Sequence, residues 1–262
     1  MPVSELQARV LREIAANRSP ESYLAGATVL HRAEDSPRFS QDLDIFHDLA
    51  EAVAVSAEAD ARTLRRAGYS LTWALQTPTF YRAVAEVAGQ SLKLEWAHDS
   101  AFRFFPVERD EFCGFRLHAA DAAVNKVLAM AGRMEVRDFV DVLHLDAEYL
   151  SLGALAWAGC GKDPGYTPDF LLDHAAAHTA YRPADLARLH LHVPLELPAM
   201  KRRWLDALDR ARGLVNRLPD QEIGCLYLDE AGSPTSPDPS ADRFQTLVRH
   251  HGSVGGAWPT VS

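Results

Sequence analysis

Gln41-Asp42-Leu43-Asp44-Ile45-Phe46-His47 alternates polar and apolar residues. On a strand, side chains two apart share a face, so Asp42, Asp44 and Phe46 point one way and Leu43 and Ile45 the other. Two carboxylates held so close repel, and something positive must compensate. A divalent ion such as Mg²⁺, which takes one or two carboxylates together with substrate phosphates, meets that need. An ordinary strand with one wet face shows the same alternation, so the pair acquires meaning only from its flanks.

Upstream, Leu24-Ala25-Gly26-Ala27-Thr28 reads as a small-residue turn between the short strand Ser22–Ala25 and a short helix over Thr28–Ala33. Such a turn presents backbone N–H groups to an anion. Downstream, Leu92-Lys93-Leu94-Glu95-Trp96 places Lys93 and Glu95 on one strand face, opposite Leu92, Leu94 and Trp96. A carboxylate on a neighbouring strand completes a set of three acids. Each feature alone has a plain structural reading: a strand-to-helix turn, and a half-exposed strand.

The surrounding pattern is mixed at first and helical later. Ser4 and Gln7 form a capping box ahead of Leu6, Val10, Leu11 and Ile14 at helical spacing. Asp48 is placed to cap a helix running to Arg66. Three β-like runs follow, Tyr69–Gln76, Thr79–Val87 and Ser91–Ala97, with a fourth near Phe102–Val107. Helical periodicity takes over at Ala119 and holds to Asn216. Leu226–Leu228 is expected as a closing strand, and Ala231–Asp242, rich in Pro, Ser and Gly, as mobile chain. The expected organisation is an α/β domain over 1–118, a helical domain over 119–230 and a largely flexible tail over 231–262.

Composition sets the outer limits. A chain of 262 residues with 47% hydrophobic and 24% charged residues buries a real core and is not disordered. Three scattered cysteines, Cys113, Cys160 and Cys225, exclude a disulfide scaffold or zinc cluster. No apolar run reaches membrane-spanning length, and the N-terminus lacks the regions of a signal peptide, so the expectation is a cytoplasmic protein without a membrane partner. A net charge of -9 argues against coating nucleic acid by bulk charge. Residues 61–140 nevertheless carry eleven Lys+Arg against nine Asp+Glu, so the acidity lies mainly elsewhere. Only four of the 27 basic residues are lysines, Lys93, Lys126, Lys162 and Lys201, which makes each lysine more informative than usual.

A small-residue turn, paired acids on a strand, then an acid on a later strand is the layout of the DNA polymerase beta-like nucleotidyltransferase superfamily. With their flanks, Leu24-Ala25-Gly26-Ala27-Thr28-Val29-Leu30 and Arg38-Phe39-Ser40-Gln41-Asp42-Leu43-Asp44-Ile45-Phe46 resemble the first motif of the AbiEii/AbiGii-type nucleotidyltransferase toxin family. Leu92-Lys93-Leu94-Glu95 resembles its second. Asp121, Lys126 and Leu128, followed by Arg133, Arg137-Asp138 and Asp141, resemble its later block. The resemblance covers roughly Ser22 to Leu145. Ala27 stands where a second glycine is usual, and Glu95 where Asp is common.

The resemblance implies an α+β fold: a polymerase beta-like mixed sheet with flanking helices, followed by a mostly helical C-terminal half. It implies transfer of a nucleoside monophosphate from an NTP to a hydroxyl of RNA, such as a tRNA 3′ end, or of a protein, by the toxin of a toxin–antitoxin pair. Asp42, Asp44 and Glu95 would hold Mg²⁺ or Mn²⁺, with Glu95 also helping to activate the acceptor. Lys126 would neutralise the triphosphate or departing pyrophosphate. Gly26, Ala27, Thr28, Ser40, Lys93, Arg137 and Asp138 would line the nucleotide site, with Arg137 and Asp138 placed to pair. A cognate antitoxin is the implied partner. The alternative is the same fold with its chemistry weakened, acting through NTP or partner binding. His174 and His178, spaced i, i+4 without the Glu of a metalloprotease motif, and Cys160 are read as structural.

Overall fold

The computed structural model describes residues 3–31, 36–192 and 194–259. In chain order its first elements are α1 (Glu5–Ile14), β1 (Ser22–Ala25), α2 (Ala27–Leu30), β2 (Asp42–His47), α3 (Ala50–Arg66), β3 (Ser70–Thr77), β4 (Phe80–Val87), β5 (Gln90–His98), β6 (Phe102–Arg103), β7 (Glu108–Asp110) and β8 (Gly114–Arg116). Seven strands form one mixed sheet in the order β3-β4-β5-β2-β1-β8-β7. The three runs after the Asp-Leu-Asp stretch are the antiparallel set β3–β5. The β4–β5 hairpin turns on Ala88 and Gly89, both at positive φ, the conformation a two-residue hairpin requires. β5 then pairs parallel with β2, a connection that needs the intervening α3 and hairpin as its crossover.

Two compact units emerge, Met1–Ala101 with Pro106–Ala122, and Phe102–Phe105 with Ala123–Ser262. In the first, Leu6, Val10, Leu11 and Ile14 of α1 and Val53, Ala57 and Leu64 of α3 join one core with Leu43, Ile45, Leu92, Leu94 and Trp96 of the sheet. Each buried Val, Leu or Ile among them stabilises by about 1.5–3 kcal/mol. The Ser4–Gln7 capping box forms at the start of α1. α3 has no side-chain cap; Asp48 instead accepts from the Tyr23 hydroxyl at 3.1 Å. A short helix forms at Ala27–Leu30, and residues 32 and 33 of the expected Thr28–Ala33 helix lie outside the described residues.

The second unit contains most of α4 (Ala119–Gly132), then α5 (Val136–Glu148), α6 (Leu152–Lys162), α7 (Pro168–Ala176), α8 (Pro183–Leu186) and α9 (Leu197–Val215). Phe139, Trp157 and Trp204 are fully buried, and Phe139 meets Trp204 edge-on at 5.3 Å. His178 Nε2 donates to the Met130 carbonyl at 2.8 Å and takes the Tyr181 hydroxyl on Nδ1 at 2.7 Å; His174 Nδ1 donates to the Ala131 carbonyl at 3.1 Å. Both histidines therefore satisfy carbonyls of the last turn of α4. Cys160 and Cys225 are buried thiols whose pKa burial pushes up to about 12, leaving them unreactive.

β9 (Leu226–Leu228) does not join the large sheet; it pairs with β10 (Val248–His250). The expected fourth run yields only β6, which pairs with β11 (Ser253–Val254). Residues 231–259, tail-like in composition, are thus tied back by backbone pairing. Buried Phe244 and the His250 Nε2 bond to the Phe104 carbonyl (2.7 Å) add to the anchoring. A few apolar anchors hold a stretch whose average composition is that of a loop. Among the described residues, no helix is long and apolar enough to cross a membrane.

Candidate active site

The parallel register of β2 and β5 sets Asp42 beside Lys93 and Asp44 beside Glu95, all on the sheet face opposite the α1–α3 core. The antiparallel register of β4 adds Arg82 beside Glu95. Lys93 Nζ lies 2.7 Å from Asp42 Oδ2 and 3.0 Å from Glu95 Oε1, and Arg82 Nε donates to the same Glu95 oxygen at 2.8 Å. The Arg82 guanidinium also lies over the Phe80 ring, 5.2 Å from its centre. Burial alone would raise the Glu95 pKa, but Lys93 and Arg82 outweigh it and hold the carboxyl below its ordinary value. Burial likewise opposes the charge on Lys93; bonds to Asp42 and Glu95 prevail and raise its pKa.

Gly26 closes the end of the site next to β1. Its φ is +68°, favourable only for glycine, and a β-carbon there would collide with the Asp44 carboxylate. Gly26 is thus required twice, by backbone conformation and by the carboxylate against its α-carbon. Ala27 and Thr28 are buried in the first turn of α2. Thr28 Oγ1 and Ser40 Oγ, both expected to meet phosphate, instead donate to the Asp42 backbone carbonyl at 3.1 and 3.0 Å. A hydroxyl has one proton to donate, so here these two residues hold the start of β2 in place.

Lys126, Arg137 and Asp138 belong to the second unit. Lys126 Nζ lies 3.1 Å from Asp138 Oδ1 and 3.2 Å from Asp141 Oδ2. Arg133 grips Asp138 through Nε (2.7 Å) and a terminal nitrogen (3.1 Å). The ion pairs of Asp138 therefore run to Lys126 and Arg133 rather than to its neighbour Arg137. Burial would raise the Asp138 pKa, but these cations overcome it and leave it below its ordinary value.

The family described as nucleotidyl transferase AbiEii toxin, type IV TA system, matches residues 9–222. The chain belongs to this family. The AbiEii fold is also that of two solved structures. The nucleotidyltransferase toxin MenT4 from Mycobacterium tuberculosis is 16% identical, with a TM-score of 0.60 over 82% of this chain and 83% of that one. JHP933 from Helicobacter pylori is 20% identical, with a TM-score of 0.52 over 82% and 95%. No curated protein matches the chain. As an AbiEii family member the chain is a nucleotidyltransferase, and the expected mixed sheet with flanking helices followed by a helical half is what its structure contains.

For the divalent ion that AbiEii chemistry implies, the donor set is suitable: three carboxylates of β2 and β5 on one face, hard oxygen ligands of the kind Mg²⁺ and Mn²⁺ prefer. With the side chains as they stand, no group of three or more His, Cys, Asp or Glu among the described residues is gathered to hold a metal. Between Asp42 and Glu95 lies the Lys93 ammonium.

Two features of the site escaped sequence reasoning. Arg82 carries no motif; only its place on β4, the strand next to β5, brings it to Glu95. Behind the site, the buried Arg18–Asp60 pair (2.6 Å) takes Trp96 Nε1 on Asp60 at 2.7 Å and Asn17 Nδ2 at 2.8 Å. Arg18 also donates to Ser22 of β1 at 3.0 Å. These bonds tie α3 to β5 and β1 beneath the carboxylate face. A signal for it existed: Asp60 falls within the apolar stripe Val53, Ala57, Ala61, Leu64, where a carboxylate must have a partner.

Proposed function

We propose that this nucleotidyltransferase moves a nucleoside monophosphate from an NTP to an acceptor hydroxyl on RNA or protein, as the toxin of a toxin–antitoxin pair. The observation that carries the reading is the single sheet face on which Asp42, Asp44, Glu95 and Lys93 lie in register beside the Gly26 turn. Asp42 and Asp44, with Glu95, would hold Mg²⁺ or Mn²⁺. When bound, such an ion supplies positive charge to the triphosphate and the reacting oxygens. The chain's own groups do the rest. Lys93 offers a mobile positive charge to the phosphates. Glu95, kept ionised, accepts the hydrogen bond of the acceptor hydroxyl and orients it. The acceptor oxygen bonds to the α-phosphorus as the bond to the β-phosphate breaks; pyrophosphate leaves, and the hydroxyl proton passes by Glu95 to water.

Family membership supports NTP as the substrate and an antitoxin as the partner. The test is incubation of the protein with each labelled NTP, Mg²⁺ and total cellular RNA or protein, followed by tracking the label. Label should enter one acceptor class with release of pyrophosphate. Asp42→Asn and Asp44→Asn should each lower transfer by about 100-fold or more while leaving the circular dichroism spectrum unchanged. Full activity in either variant overturns the assignment.

A second reading, NTP binding without turnover, is favoured by one observation: an ammonium rather than open space separates Asp42 from Glu95. Calorimetric binding of an NTP together with absent label transfer would select it.

A further inference from the structure

Lys93 sits where its charge matters most for the implied metal. Its ammonium touches Asp42 on β2 and Glu95 on β5, and so already offsets part of the negative charge of the face on which a divalent ion would be held. A divalent ion entering beside it would meet a like charge a few ångströms away, a repulsion that takes away part of the attraction of the three carboxylates. The lysine is also free to leave. Its side chain is 33% exposed, on a flexible four-carbon stem.

The rest of the site does not depend on Lys93 staying. Glu95 keeps Arg82 as a second partner. The Asp42 backbone is pinned by Thr28 and Ser40, and Asp44 lies against Gly26. What a departing ammonium requires is another anion, and the phosphate chain of the substrate supplies one.

We infer that Lys93 is the resident cation of the carboxylate face, which keeps divalent ions out until a triphosphate draws its ammonium away, so that metal and nucleotide enter together. The inference rests on the proposed metal-holding role of Asp42, Asp44 and Glu95. It goes beyond that role in making metal affinity a property of where Lys93 points.

The test uses the full chain and Mn²⁺ alone, without nucleotide, with free Mn²⁺ followed by electron paramagnetic resonance. Lys93→Met should bind Mn²⁺ about tenfold or more tightly than the unaltered protein, since a competing charge is gone. Lys93→Arg, which keeps the charge, should not gain. Adding Asp42→Asn to Lys93→Met should abolish the gain. Lys93→Gln serves in place of Lys93→Met if the latter does not fold. Mn²⁺ affinity in the neutral variants no higher than in the unaltered protein overturns the inference. Label transfer by the unaltered protein is scored separately. Transfer present with no gain in Mn²⁺ affinity removes this inference alone. A gain without transfer removes the proposed enzymatic reading and leaves the competition standing.

Discussion

Two lysines in this molecule each bridge a pair of carboxylates, and they do so in opposite surroundings. Lys93 joins Asp42 and Glu95 with its side chain 33% exposed. Lys126 joins Asp138 and Asp141 with its side chain 9% exposed and both acids fully buried. The first group can exchange a protein carboxylate for a ligand at little cost, because water screens the change. The second cannot, because removing one member leaves an uncompensated charge in a low dielectric. The same three-charge arrangement is therefore partly open to solvent in one unit and a buried link between α4 and α5 in the other.

The sharpest way to break this contrast is Lys126→Met. If Lys126 is a fastening, the variant should lose about 3–5 kcal/mol of stability, read by chemical denaturation. Unchanged stability together with lost nucleotide transfer would instead return Lys126 to the role the motif suggests, beside the phosphates.

Next in size is a test of burial itself, behind β2. His47 is fully buried, and burial, helped by the Arg18 charge, lowers its pKa to about 4. Its folded value lies below its ordinary 6.5, so the native state binds fewer protons than the unfolded one. The stabilisation is complete above about pH 6.5 and is lost as pH falls toward 4, by up to about 3 kcal/mol. Denaturation series across that range should show the decline, and His47→Gln should flatten it. An unchanged slope would mean that a buried charge is tolerated here, and the reading of Lys126 would weaken with it.

The smallest effect belongs to Arg82→Ala. Arg82 is 40% exposed and its bond to Glu95 is a partly screened ion pair, worth about 0.2–1 kcal/mol. Stability should hardly move. Transfer should fall only a few-fold if Glu95 is oriented mainly from β5. A loss as large as that of Asp42→Asn would place Arg82 on the substrate instead.

What could be read in the sequence followed from local physics. Alternation placed Asp42 with Asp44 and Lys93 with Glu95, and the Ser4–Gln7 cap and the β4–β5 hairpin are each short-range. The β2–β5 register is not: Asp42 and Asp44 each lie 51 positions from their partners Lys93 and Glu95, and parallel pairing leaves no turn to fix its register. Strands of three residues, such as β7 and β8, are too short to show a period at all. The roles of Thr28 and Ser40 were hidden for another reason. A hydroxyl aimed at a phosphate and one aimed at a carbonyl look alike in sequence, and only the fold of β2 shows which one Asp42 receives.

The parallel pairing of β2 with β5 also sets a schedule. During synthesis Asp42 and Asp44 leave the ribosome well before Lys93 and Glu95, and until the chain has been made through His98 the paired acids have no β5 to face. A nascent chain that ends before β5 carries two of the three carboxylates and not Lys93. The carboxylate face is therefore complete only after the last residue of β5 has been made.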